Sequence, residues 1–463
     1  MSVHRVVYLS AFYPGYGGGN GRAAHELAET FAVDHDVLLL CPGDRTELVA
    51  KPGSRQRIFT VKSTGKGNFR IPLFTRTNIR QIFDLLDNFQ PDIVHAHDPT
   101  LLGLIGQVWA RMSHVPFVYT AHIIPQKSLD FGTLDVIKLP LDFLAESIAM
   151  RFLEDFYRNC DAVIALNDIV ARNIRDFGYE GRLFIMPNGR YLRQYSNLPL
   201  TAITQPEKIL SFIGFITRRK NQHYLVEALR YLPSHYRLRI VGMAIDPDYR
   251  AQIEAYARQH GLLDQVEFSG EIPHERIPEV YAQSHLIVSA SKMEVQSLVI
   301  IEALASGTPV VGLSNETVDE LVDEQVGYRL DKNASPAEFA LCIEKICNLP
   351  PEQYERLCRN ARQRVQHLDW ENVAQMLSEA YETLVEDRDI TLPIDSTRLT
   401  RMVALLPDGQ VRQVLTARIA RVVSSVKKVR RVPQRTWLFA SLTALGSIIA
   451  YIFLRRRANK LQV

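Results

Sequence analysis

Short, continuous apolar runs rich in β-branched residues alternate with helical patterns along most of this chain. In the first half they are Val6–Ser10, Val37–Cys41, Ile93–His97, Phe117–His122, Ala162–Asn167 and Phe184–Pro187. In the second they are Ile209–Gly214, Leu238–Gly242, Val266–Gly270, Leu286–Ser289, Pro309–Leu313 and Gly327–Leu330. A strand that is apolar on both faces must be covered on both faces, and helices between such strands make the connections parallel. Two such series predict an α/β protein with two Rossmann-like, doubly wound parallel-sheet domains. At 463 residues the chain is too long for a single core, which agrees. The expected divisions are 1–195, 196–368, a closing helix over 369–386, a connector with a basic amphipathic helix over 387–436, and an apolar segment over 437–454. The weakly patterned stretch 191–207 reads as the linker between the first two.

Charge is distributed unevenly. The 55 residues from Gly409 to Val463 hold twelve Lys and Arg and no Asp or Glu; the first 408 carry the other 42 basic groups and all 51 acidic ones, a balance of −9. A basic tail on an acidic body meets an anionic surface, nucleic acid or membrane. The segment WLFASLTALGSIIAYIFL at 437–454 favours membrane, because it is free of charge and flanked by Arg435 and Arg455–Arg457. As a helix it reaches about 27 Å, close to the ~30 Å of a hydrocarbon core. Upstream, Val411, Leu415, Ile419, Val422, Val426 and Val429 recur at helical steps among Arg412, Arg421, Lys427, Lys428 and Arg431. That pattern predicts an amphipathic helix on anionic lipid; a helix packed on the protein itself satisfies it equally. Five scattered cysteines without metal spacing, and no secretory signal pattern ahead of Val6, read as a reduced, cytoplasmic body attached to a membrane, with no nucleic-acid partner.

In open parallel sheets ligands bind beyond the carboxyl ends of the strands, and the unusual loops of this chain lie there. The first strand is followed by Pro14-Gly15-Tyr16-Gly17-Gly18-Gly19-Asn20-Gly21-Arg22 and a helix expected at Ala23–Phe31. Such glycines let backbone approach a ligand, or simply make a flexible loop. Thr120-Ala121-His122 ends another strand. The first strand of the second half runs into Gly214-Phe215-Ile216-Thr217-Arg218-Arg219-Lys220-Asn221, where three adjacent cations suit a diphosphate, or a solvated basic turn. Finally, Ser289–Val311 carries Glu294 at a strand-to-helix junction and Glu302 eight positions on. Eight residues turn a helix about 80° past two full turns, so one carboxylate must come from the loop if both serve one site. Ser297 is the expected N-cap, which would aim free N–H groups at an anion.

Taken together these loops resemble the retaining glycosyltransferases of family 4, which have the GT-B fold, over roughly Val6 to Val385. The match rests on Glu294-x7-Glu302 with Gly307-x-Pro309, the glycine-rich first loop, Asp92-Ile93-Val94-His95-Ala96-His97, Thr120-x-His122, Pro187-Asn188-Gly189, Gly214…Lys220-Asn221 and Trp370-Glu371. The resemblance implies two domains facing a cleft and a nucleotide-sugar donor. It places Glu302 on the ribose, and Arg218, Lys220 and the N–H groups of Ser297 and Leu298 on the diphosphate. Glu294 and His122 would touch the donor sugar, with Gly18 and Gly19 close to the donor. No metal motif of the D-x-D kind stands in a fitting place, and no cofactor is expected. Two departures stand out: Phe215 occupies a position where the family often has Arg, and Val295-Gln296-Ser297 replaces the common Gly-Phe-Gly. The latter triplet is similar to the form found in diacylglycerol glucosyltransferases, and the resemblance places Arg70–Leu73, before a helix at Asn78–Phe89, in a region those enzymes use near the acceptor. The resemblance and the tail therefore imply transfer of glucose from a UDP-sugar to a membrane lipid. The alternatives are a polyprenyl-linked saccharide or other envelope glycan precursor as acceptor, and a non-catalytic scaffold.

Overall fold

The computed structural model of the chain describes residues 4–15, 18–65, 70–124 and 142–387, with shorter pieces at 400, 402–404, 409 and 412–419. It divides into two units, Met1–Met186 with Ala374–Val463, and Pro187–Val373. The apolar segment expected to span a membrane, 437–454, and most of the expected amphipathic helix lie outside the described residues. Among the described residues no helix is long and apolar enough to cross a membrane.

The first unit is built on nine strands: β1 (Arg5–Leu9), β2 (Asp36–Gly43), β3 (Glu47–Ala50), β4 (Gln56–Thr64), β5 (Ile71–Pro72), β6 (Ile93–Ala96), β7 (Phe117–Thr120), β8 (Ala162–Ala165) and β9 (Arg182–Ile185). Their order is β3-β4-β2-β1-β6-β7-β8-β9, with β5 paired to β4. Pairing is parallel from β4 through β9, with Val6 opposite both Val37 and Ile93; β3 and β5 run antiparallel to β4. The expected runs in this half are all strands. The sequence pattern missed β3, β4 and β5: β3 is exposed throughout, and β4 is buried only at Gln56 and Phe59–Val61 among more exposed, largely polar positions. Lone exposed runs of this kind carry no continuous apolar signal.

The second unit is a six-stranded parallel sheet of order β12-β11-β10-β13-β14-β15, from β10 (Lys208–Ile213), β11 (Tyr236–Val241), β12 (Val266–Gly270), β13 (Leu286–Ser289), β14 (Val310–Leu313) and β15 (Gly327–Leu330). Leu210 lies opposite Leu238 on one side and Leu286 on the other. Apolar clusters on both faces cover it, one around Phe212, Leu238, Val288 and Phe339, the other around Ile213, Ile287, Ile301 and Val310. The crossing from β10 to β11 is tight: a Cβ on Gly242, at φ +139°, would stand 2.1 Å from the carbonyl oxygen of Gly214.

The division falls at Pro187, and the start of the segment 191–207 expected as the linker is packed into the second unit, as is the turn before it. Arg190 N–H donates to the carbonyl of Leu368, and the Trp370 N–H donates to that of Arg190. A Cβ on Gly189 would meet the Trp370 ring at 2.2 Å, so glycine is what lets that indole pack there. Tyr195, in the short helix Arg193–Ser196, is fully buried. The helix Trp370–Glu386 is not a separate element but passes from one unit to the other at Ala374.

Residues 412–419 form a helix whose Leu415 and Ile419 are buried. Its Arg418 guanidinium sits 3.7 Å from the centre of the Phe83 ring, and Arg76 bonds to Gln413. The start of the predicted lipid-facing stripe is therefore packed on the helix Arg76–Phe89 of the first unit. The i,i+4 spacing of Leu415 and Ile419 gives one apolar face, and that face is already covered by protein. Truncation of Leu415 to Ala should cost about 2–5 kcal/mol, as for other buried leucines. Hydrogen exchange should accelerate in both 76–89 and 412–419, and unchanged protection in 76–89 would show that the two helices do not depend on each other.

Candidate active site

In the second unit, three loops leave the carboxyl ends of β10, β13 and β14. After β10, Gly214 adopts φ +143° and Asn221 φ +56°, folding 214–221 into a compact turn closed by Lys220 N–H to the Thr217 carbonyl at 3.0 Å. Lys220 Nζ bonds directly to Glu294 Oε1. Arg219 donates to the Met293 carbonyl at 2.8 Å and lies 3.8 Å from the other oxygen of Glu294. Burial pushes the Glu294 carboxyl up, but Lys220 and Arg219 outweigh it and hold the group below the ordinary glutamate range. Burial pulls Lys220 down against the opposing pull of Glu294. Arg218 turns outward, 59% exposed, over the Tyr249 ring and 3.5 Å from Asp246. The structure thus brings Lys220 and Glu294 together and leaves Arg218 apart from them. One buried atom of this loop, Thr217 Oγ1, has no hydrogen-bond partner among the described residues.

The loop 290–297 is held by the next helix, Glu316–Leu321, which Asn315 caps through its side chain. Glu316 accepts from the Glu294 N–H at 3.2 Å, and Thr317 Oγ1 accepts from the Ser297 N–H at 2.8 Å. Ser297 does occupy the N-cap of the helix Leu298–Ser306, but its side chain makes no capping bond and its N–H is committed to Thr317. The expectation that this N–H is open to an anion is corrected accordingly. Leu298 opens the helix, where an N–H has no intrahelical acceptor. Gln296 is buried and accepts from the Asn188 N–H at 2.6 Å, so it ties the Pro187-Asn188-Gly189 turn to this loop.

Glu302 is 4% exposed. Its Oε1 accepts from Arg190 Nε at 2.7 Å, with Nη2 at the same distance, and its Oε2 accepts from the Tyr281 hydroxyl at 2.9 Å. Arg190, itself completely buried, also donates to Tyr195 Oη at 3.0 Å and faces His274 Nε2 at 2.7 Å. A carboxylate offers about four lone-pair positions, so this network leaves Glu302 room for about one more donor. Arg190, Tyr281 and Thr217 were not singled out from sequence. A basic residue directly after Pro-Asn-Gly gives no sign that it will be buried, since arginine is usually exposed.

In the first unit, the glycines do not form a loop throughout. The helix begins at Gly18 and runs to Phe31, so exposed Gly18 and Gly19 are its first turn, five residues earlier than expected. Asp98, after β6, accepts from the Ala11 N–H and from Asn20 Nδ2, both at 2.8 Å, and so fixes both sides of that turn. Burial raises Asp98 to about 6 against those two bonds. His95 is a strand histidine with both nitrogens satisfied, by Tyr381 Oη at 2.5 Å and Thr120 Oγ1 at 2.7 Å. His97 Nδ1 lies 3.0 Å from Nε2 of half-buried His122, and the rings stack with centroids 5.3 Å apart. Burial pushes His95 and His122 down to about 3 and His97 well below its ordinary value, so all three are neutral.

Lys220 and Glu294 thus stand paired at the carboxyl ends of strands of the second unit, and the three neutral histidines lie in the first. Residues 17–193 match the family described as Glycosyltransferase Family 4, and residues 200–364 match Glycosyl transferases group 1. The chain belongs to the family 4 glycosyltransferases, with the GT-B fold. Among curated proteins it is similar to alpha-monoglucosyldiacylglycerol synthase of Streptococcus pneumoniae, 24% identical over 56% of this chain and 60% of the relative. The enzyme of that name from Acholeplasma laidlawii is 22% identical over 71% of this chain and 84% of the relative. The chain thus spans less than two thirds of the Streptococcus relative. Among solved structures, sucrose-phosphate synthase from Thermosynechococcus elongatus covers 83% of this chain and 99% of its own at TM-score 0.68 and 21% identity. Anabaena HepE in complex with UDP-glucose covers 82% and 100% at TM-score 0.64 and 18% identity. At these identities the structures establish the fold.

Replacing Arg190 with Met would leave Glu302 buried without its counter-charge. Losing one partner of a buried pair costs about 3–5 kcal/mol, and chemical denaturation should show a loss of that size in the transition of the second unit. A loss under about 1 kcal/mol would mean that Glu302 finds another partner.

Stability of the first unit should fall in acid. Its buried histidines keep folded values near 3 against 6.5 in the unfolded chain, so the stability they contribute is complete above about 6.5 and is lost as pH falls toward 3. Asp98, raised from 3.8 to about 6, acts in the opposite sense: its contribution is complete below about 3.8 and is lost as pH rises through about 6. Melting curves between pH 4.5 and 7.5 should therefore flatten in His122→Asn and steepen in Asp98→Asn relative to the parent.

Proposed function

We propose that this protein transfers glucose from UDP-glucose to a membrane lipid such as diacylglycerol, with retention of the anomeric configuration, at the membrane surface and on its cytoplasmic side. The observation that carries the donor part is the Lys220–Glu294 pair, a cation and a carboxylate fixed side by side at the end of the β10 and β13 strands. A donor brings a diphosphate that needs positive charge and a sugar whose hydroxyls need acceptors. Lys220 is assigned to the diphosphate and Glu294 to the sugar, so binding exchanges an internal ion pair for two contacts with one ligand. The Thr217 hydroxyl and the Leu298 N–H are assigned to the same phosphates, and Arg218 reaches them by leaving Asp246. The one position left on Glu302 is assigned to a ribose hydroxyl. As the glycosidic bond breaks, negative charge grows on the departing phosphate and Lys220 stabilises it; the phosphate then takes the acceptor proton on the same face. The names of the two bacterial relatives support diacylglycerol-type lipid as the acceptor class, and the bound UDP-glucose of HepE supports the donor. The basic, apolar C-terminal sequence supports the membrane location.

Detergent-purified full-length protein incubated with radiolabelled UDP-glucose and mixed membrane lipids should yield a labelled glycolipid on thin-layer chromatography. Removing one preorganised charge from a transition state costs about 2.7–4 kcal/mol, so Lys220→Ala should slow turnover about 10²–10³-fold. Label in a polyprenyl-linked saccharide would replace the acceptor assignment and keep the donor one. No labelled product with any nucleotide-sugar offered would overturn both.

A further inference from the structure

His97 and His122 share a single hydrogen bond. Their nitrogens Nδ1 and Nε2 are 3.0 Å apart, and both rings are neutral through burial. A neutral imidazole carries one proton, so one ring donates and the other accepts. If His97 donates, its proton is on Nδ1, its Nε2 is a bare lone pair, and the proton of His122 is on Nδ1. If His122 donates, its proton is on Nε2, and the proton of His97 must then be on its own Nε2. That atom decides between the two. His97 Nε2 is buried and has no hydrogen-bond partner among the described residues. The two nearby histidines are engaged elsewhere: His95 with Tyr381 and Thr120, and His25 Nε2 with the Phe12 carbonyl at 2.9 Å. The second arrangement therefore buries an unpaired N–H donor and the first only an unpaired lone pair. Orphaned N–H groups are the rarer of the two in protein interiors.

We propose that His97 is a positioning residue which holds His122 as the Nδ1–H tautomer, so that His122 offers its substrate a hydrogen-bond donor and not a proton acceptor. Which nitrogen of a histidine carries the proton is set by the bond the other nitrogen makes, and here His97 makes that bond. His122 then cannot remove the acceptor proton, and its contact with the donor is to a sugar oxygen. This last step rests on the reading of His122 as a substrate-contacting residue; the tautomer assignment does not.

Full-length protein labelled with ¹⁵N-histidine, studied without substrate by long-range ¹H–¹⁵N correlation, reports the tautomer of each ring. Substitution of His122 and of His97 assigns the signals. His122 is expected as Nδ1–H in the parent. In His97→Leu, which removes the donor, it is expected to lose that form. In His97→Asn, whose side-chain amide can place an N–H near the position of Nδ1, it is expected to keep it. With the nucleotide-sugar, kcat/KM should fall about tenfold in His97→Leu, the scale of one lost hydrogen bond, and recover in His97→Asn. An Nε2–H signal for His122 in the parent would overturn the proposal, and so would an unchanged tautomer in folded His97→Leu. Should His97→Leu fail to fold, the parent spectrum alone decides. The expected tautomers without any sugar transfer would sustain the assignment and overturn the glycosyltransfer reading instead.

Discussion

The second unit is arranged around a guanidinium and a carboxylate that are held almost completely away from solvent. Arg190 and Glu302 are 0% and 4% exposed, and burying two charges is tolerable only when they are paired and most of their remaining lone pairs and protons find partners. Tyr281, Tyr195 and His274 supply those partners. The consequence is geometric. Glu302 lies on the helix Leu298–Ser306, whereas Arg190 belongs to the segment entering from the first unit, so the pair fixes that helix against 187–195. The Gln296 bond to Asn188 and the Trp370 indole over Gly189 hold the same segment from two other directions. A turn, a helix start and an indole are thereby placed relative to one another by side chains far apart in sequence.

A rigid frame of this kind lets the Lys220–Glu294 pair be different in character. Both groups are partly accessible, with side-chain exposures of 14% and 11%, and neither is locked by a second buried counter-ion. The two glutamates of the motif thus differ in their partners: Glu302 is held by Arg190 and Tyr281, and Glu294 by Lys220 and Arg219. A ligand with both a diphosphate and hydroxyl groups can replace those partners without leaving a bare charge, and a ligand with only one of these cannot. Any ligand entering here must satisfy both members of the pair at once, since a bare buried charge is costly.

The sequence made the architecture legible because parallel strands covered on both faces have to be continuously apolar. Every run that met that condition is a strand, and the loops that follow them are where the charged and glycine-rich groups stand. What it concealed has a common physical cause. β3 and β4 were invisible because an edge region need not be apolar, and Arg190 because composition cannot say which arginine will be buried. Ser297 had the residue type of a cap and the position of a cap, yet Thr317 took its N–H, a competition between distant residues that spacing does not record. Within the Val295-Gln296-Ser297 triplet, the side chain of Gln296 is engaged with Asn188, a contact between distant residues that the motif does not record.

The C-terminal segment shows the same ambiguity in its sharpest form. An apolar stripe at helical spacing with basic flanks is what a lipid surface requires, and also what a groove beside Phe83 requires. Leu415 and Ile419 went to the protein. Arg418 followed them, with its charge over an aromatic face, an interaction worth about 0.5–1 kcal/mol at an exposed site and more when desolvated. At Leu415 and Ile419 the stripe is therefore an intramolecular contact, which ties this part of the tail to the helix Arg76–Phe89. Such spacing therefore does not name its partner until the neighbouring surface is known, and here that surface is the helix Arg76–Phe89.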